Sequence, residues 1–149
     1  MSSNTALPDQ DTINQFIIRC HFDLAAVQAA VAEYPALVGT VSSVPGAEGE
    51  TPLGAAAHVG NRAIAEYLLD HGAELEFCAA VMLGMDDYVR AIVDADPGMA
   101  NASGAHTIPA LNHATVAGQA GLARYLVERG AAVTGGRCMA RSTRVMPKW

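Results

Sequence analysis

The stretch TPLGAAAHVGNRAIAEYLLDHGA, Thr51 to Ala73, decides the fold. Thr51 is a residue type that caps helices through its side-chain oxygen, and Pro52 suits a first helical position, where its missing N–H has no intrahelical partner to lose. The alanines at 55–57 leave room for a second helix to approach closely. Ile64, Leu68 and Leu69 recur at helical spacing, while Gly60 and Gly72 supply the left-handed residues that end two short helices. Residues 51–73 therefore read as helix, turn, helix.

The same pattern recurs along the chain. Residues 109–131 keep Leu111, Ala114, Gly118, Leu122, Leu126, Val127, Gly130 and Ala131. Residues 75–97 keep Ala80, Gly84, Val89, Ile92 and Val93, and end in Asp96-Pro97 where a Gly-Ala would stand. Residues 13–35 place Phe22, Val27, Ala30 and Val31 in the apolar slots, with Tyr34-Pro35 at the helix end. A unit of this size cannot bury its apolar stripe alone, so repeated units must stack. The expected fold class is all-α, with eight short helices in four pairs.

Thr51-Pro52-Leu53, Ala56, Ala57, Gly60, Ile64, Leu68, Leu69 and Gly72-Ala73 resemble the ankyrin repeat, whose signature begins T-P-L-H-x-A and recurs about every 33 residues. The resemblance extends over residues 13–133, leaving 1–12 as an N-terminal segment and 134–149 as a basic C-terminal tail. It is similar in particular to short bacterial ankyrin-repeat domain proteins. It implies an ankyrin-repeat solenoid of about four helix-turn-helix repeats with one inter-repeat hairpin missing, because nothing separates Ala73 from Leu75 but Glu74. Residues 39–50, punctuated by Pro-Gly and Gly-Glu, read instead as a long loop. The histidine that follows Thr-Pro-Leu in the consensus is replaced by Gly54, Cys78 and Asn112.

Composition agrees with closely packed helices. Of 149 residues, 29 are alanine, 51% are apolar and 16% are charged, against a usual charged fraction of about 25%. No run reaches the roughly 18 uncharged apolar residues of a membrane span, and the start carries no basic and apolar leader, so the expected address is the cytoplasm. The net charge is −6, unevenly spread: residues 137–149 carry Arg137, Arg141, Arg144, Lys148 and no acid. An acidic body lacks the basic face that phosphate contact requires, which argues against nucleic acid. The basic tail is expected to fold back across the acidic body, with Trp149 inserted in the groove. Cys20, Cys78 and Cys138 show no zinc spacing and read as reduced thiols.

The resemblance also implies where a partner would dock. In such proteins the ends of the first helices and the hairpin tips line a concave groove, which here places Cys20, His21, His58, Val59, Met82, Leu83, His113 and Val116 on it. The leading function is a binding module that docks a protein partner in this groove, as a family role and not as an activity read from residues. The alternative is a small-molecule enzyme of isomerase, cyclase or lyase type, with His58, His113 and His21 as acid-base groups in an apolar pocket. A carboxylate beside His58 or His113 would favour it. Self-association into a homodimer over the Ile13 to Phe22 surface is a third alternative. With no HExxH, His-x-His or His/Cys cluster, no metal is expected, and no Gly-rich phosphate loop or nucleophile elbow suggests a cofactor. Asp86 and Asp87 read as acids favoured at a helix start.

Overall fold

The computed structural model describes residues 6–133. Four side-chain caps set helix starts. Asp9 accepts from Thr12 N at 2.9 Å, Asp23 from Ala26 N at 3.1 Å, Thr51 from Gly54 N at 2.8 Å, and Asn61 from Ile64 N at 3.2 Å. The helices are α1 (Gln10–Arg19), α2 (Leu24–Glu33), α3 (Pro52–His58), α4 (Arg62–Asp70), α5 (Phe77–Leu83), α6 (Asp86–Ala95), α7 (Ala110–Val116) and α8 (Ala120–Glu128). The first begins three residues before the expected Ile13, because Asp9 supplies the cap. Short 3-10 turns at Pro35–Gly39, Pro97–Asn101 and Ala105–Thr107 fill the connections. Asp86 and Asp87 lie in the first turn of α6 without a side-chain cap bond, so their contribution there is to the helix dipole.

Helices pair as inner and outer members of four repeats, α1/α2, α3/α4, α5/α6 and α7/α8. Inner helix α3 is short and almost wholly buried: Leu53, Ala55, Ala56 and Ala57 have essentially no exposed surface. With small alanines at 55–57, it packs against α4, α1, α5 and also α7. Gly60, at φ +74°, ends this helix in the left-handed conformation, and a Cβ there would sit 3.5 Å from Val116. Outer helices contribute the larger side chains, Val27, Val31, Ile64, Leu68, Val89, Val93, Leu122 and Leu126, all buried. Each such burial contributes about 1.5–3 kcal/mol relative to exposure, which no single pair could collect without neighbours.

Repeat two runs into repeat three without a hairpin. Before repeat two, the loop at 40–50 folds back on itself, Ser42 N donating to Glu50 O at 2.9 Å and Gly49 N to Ser42 O at 2.9 Å. Before repeat four, a single antiparallel bridge joins Ser103 and Pro109. These two loops meet across the position of the deleted hairpin. Side chains at the helix-to-helix turns tie repeats together: Asn61 Nδ2 donates to His21 O at 3.3 Å, Arg62 Nη2 to Leu83 O at 2.8 Å, and Gln119 Nε2 to Met82 O at 3.2 Å. They do so in a chain that lacks the consensus histidine.

The first repeat is less apolar outside than its sequence suggests. Ile13, Phe16 and Ile17 are buried in the chain's own core, leaving Ile18 and Phe22 exposed. The homodimer surface expected over Ile13 to Phe22 is reduced accordingly. The expected placement of Trp149 and the basic tail, and Cys138, lie outside the described residues.

Candidate functional site: a histidine and glutamate cluster beside the loops

The turn after α1 carries His21, the residue just before the α3 cap is Glu50, α3 ends in His58, and the 3-10 turn before α7 carries His106. Side chains on a helix lean toward its N-terminus, so His58 reaches back along the groove face of α3 toward Glu50. Glu50 is buried, its side chain 5% exposed, and its Oε1 lies 3.4 Å from His21 Nε2, 3.2 Å from His58 Nε2 and 3.0 Å from His106 Nε2. His21 Nε2 and His58 Nε2 are 2.9 Å apart. The rings pack edge to face, with centroids 4.9 Å apart for both the His21–His58 and the His58–His106 pair.

Two of the three rings are oriented by backbone carbonyls. His21 Nδ1 faces Ile17 O at 3.1 Å and Ile18 O at 3.0 Å, and His106 Nδ1 faces Gly46 O at 3.3 Å. A carbonyl only accepts, so each Nδ1 carries the hydrogen and each Nε2 turns toward Glu50. His106 and Thr107 hold left-handed backbone, φ +55° and +57°, which non-glycine residues rarely adopt. That strained turn is what carries the His106 ring to Glu50. Burial pushes the His58 pKa below the ordinary imidazole range, the neighbouring His21 ring acts in the same direction, and the Glu50 carboxylate pulls against both.

Glu50 and His106 also line a cavity of about 460 Å³ between the 46–51 and 103–107 loops. On its wall Thr51 Oγ1 donates a short hydrogen bond to Glu76 Oε2 while accepting from Gly54 N. Burial raises the Glu76 pKa above the usual carboxylate value, against the lowering effect of that hydrogen bond.

Of the residues expected on the groove, His21 and His58 meet in this cluster. Val59 and Val116 are exposed, at 41% and 52%, and Leu83 is half-buried. Cys20, Met82 and His113 are interior groups, each no more than 1% exposed. Cys20 is packed into the core shared by α1 and α3, and Met82 and His113 into the stack of α3, α5 and α7, so none of the three presents a surface to a partner. His113 stands apart from the Glu50 cluster: Nδ1 donates to Pro109 O at 3.0 Å, Nε2 is buried without a hydrogen bond, and burial lowers its pKa. A Cβ on Gly104 would lie 3.3 Å from that Nε2, so glycine lets the loop approach the ring.

Sequence reasoning missed Glu50 and His106. Glu50 stands directly before the Thr51 cap of α3 and His106 four residues before α7, both in the loops that lead into a repeat's first helix, and that placement is the signal available in the sequence. The spacing rule that set a metal aside does not reach them, because the four groups come from separate segments and form no short motif.

The ankyrin repeat family model matches residues 48–80. No curated protein and no solved structure matches the chain. The match spans repeat two and the first helix of repeat three, and the helix pairing extends the same unit along the stack. Residues 48–80 are thus an ankyrin repeat, and the eight helices of the described residues are consistent with an all-α ankyrin-repeat solenoid whose second and third repeats join without a hairpin.

Proposed function

We propose that this chain is a protein-interaction module that docks its partner along the edge formed by its helix-to-helix turns, beside the closed groove. The ankyrin repeat supports an interaction role in general. One observation carries the placement: Phe22, Val59, Met85 and Val116 are exposed at 64%, 41%, 37% and 52%, each at or beside the turn of a different repeat. The turns adjoin one another through the Asn61, Arg62 and Gln119 hydrogen bonds. Large apolar side chains aligned in this way suit an apolar segment of a partner.

A specific observation favours a second reading, a small-molecule enzyme using groove histidines. His58 lies 3.2 Å from the buried Glu50 carboxylate, and His106 and Glu50 border a cavity. An imidazole paired with a buried carboxylate is an arrangement suited to proton transfer.

Both readings are tested by affinity capture on the folded chain, read for proteins and small molecules by mass spectrometry. A protein retained by wild type and lost from both Phe22→Asp and Val116→Asp supports docking at the turn edge. A small molecule retained by wild type and lost from His58→Gln, with no protein affected by the turn variants, supports the enzyme instead. Identical recovery from all baits overturns both.

A further inference from the structure

We propose that His21, His58, His106 and Glu50 form a binding site for one zinc-class divalent ion. The inference goes beyond partner docking and stands without it. One ligand atom from each residue falls within 4.8 Å of every other. Tetrahedral coordination at about 2.0–2.1 Å places neighbouring ligand atoms roughly 3.3 Å apart. The distances between 2.9 and 3.4 Å among Nε2 of His21, Nε2 of His58 and the Glu50 contacts lie close to that edge.

Proton accounting favours a cation. A neutral imidazole has one N–H, and His21 and His106 direct theirs from Nδ1 to backbone carbonyls. Their Nε2 lone pairs then face a buried carboxylate oxygen that makes no hydrogen bond. With all three imidazoles neutral, only His58 could offer an Nε2 hydrogen, one for three acceptors. A cation among the four satisfies all of them at once. The carbonyl contacts on Nδ1 are also the outer-shell arrangement usual for metal-bound histidine, where they fix ring orientation and raise basicity.

Three imidazole nitrogens and one carboxylate oxygen suit zinc and its first-row neighbours, whereas calcium and magnesium prefer all-oxygen sets. The ligands come from the turn after α1, both ends of α3 and the loop before α7. An ion held there ties repeats one, two and four together across the position of the missing hairpin. It is therefore a latch as well as a site, since affinity for the folded arrangement adds directly to stability.

The test uses the full chain stripped with a chelator. Zinc is titrated calorimetrically and cobalt(II) by visible absorption, with thermal unfolding followed with and without zinc. The expected result is one ion per chain, the strong visible bands of four-coordinate cobalt, and a higher melting temperature with zinc. His106→Ala, on an exposed turn, and Glu50→Gln should each weaken zinc by more than the 10–100-fold, order of magnitude, that outer-shell changes cost. His71→Ala, on the far end of α4, should bind as wild type does. No stoichiometric binding to the wild-type chain overturns the proposal. So does wild-type affinity in His106→Ala, whose fold is checked by circular dichroism and which remains informative if Glu50→Gln fails to fold.

Discussion

Replacing Thr51 by valine isolates one hydroxyl at the junction of repeats two and three. Its oxygen accepts from Gly54 N at 2.8 Å, capping α3, and its hydrogen goes to the Glu76 carboxylate just before α5. Valine keeps the volume, so no cavity term enters. Loss of a threonine cap costs about 1 kcal/mol. Loss of a hydrogen bond to a carboxyl costs about 1.5–3 kcal/mol when the group is fully buried, and Glu76 is only half-buried, so water recovers part of it and about 1 kcal/mol remains. The expected total is about 2 kcal/mol, or a melting temperature lower by roughly 4–8 °C for a chain of this size. Urea unfolding followed by circular dichroism measures it, with an unchanged denaturant slope as the sign that only stability moved. Thr51→Ser should stay near wild type. In a double-mutant cycle with Glu76→Met, which removes the acceptor, about 1 kcal/mol of the loss should be shared. A loss below about 0.5 kcal/mol for Thr51→Val, or full additivity with Glu76→Met, would refute the reasoning.

Burial raises the Glu76 pKa, with Glu74 adding to the rise, so its stabilising effect is complete below the ordinary carboxyl range and is lost as pH climbs through the raised value. Wild type should therefore lose stability relative to Glu76→Gln as pH rises above the ordinary carboxyl range of about 4, seen as diverging urea midpoints. Burial pushes the Cys20 and Cys78 thiols up to about 12, so a Cys138→Ser chain should react with a disulfide reagent at neutral pH only after denaturant is added. Met82→Glu should destabilise by more than about 3 kcal/mol because it places a charge in the core, whereas Phe22→Asp should stay within about 0.5 kcal/mol of wild type. Melting curves separate the two, and equal losses would mean the turn edge is part of the core.

The repeat was legible because its signals are local. Thr51 caps α3, Pro52 opens it, and Gly60 and Gly72 take the left-handed conformations that their positions demanded. The missing hairpin was legible as missing residues between Ala73 and Leu75. Its consequence was not, since the approach of α3 to α7 follows from stacking geometry that no local pattern encodes. That approach turned Met82 and His113, expected on an open groove, into core. The candidate site was half legible. His21 and His58 lay on the expected face, but Glu50 and His106 arrive from loops whose meeting depends on the same closure. His106 further needs a left-handed backbone that nothing in Gly104-Ala105-His106-Thr107 announces for the histidine itself.

The most direct measurement is anomalous diffraction at the zinc absorption edge from crystals of the full chain grown with one equivalent of zinc. The expected result is a single strong peak about 2.0–2.2 Å from Nε2 of His21, His58 and His106 and from a Glu50 oxygen. No peak at Glu50, or a peak held by other residues while His21 and His58 stay hydrogen-bonded to each other, would contradict the assignment.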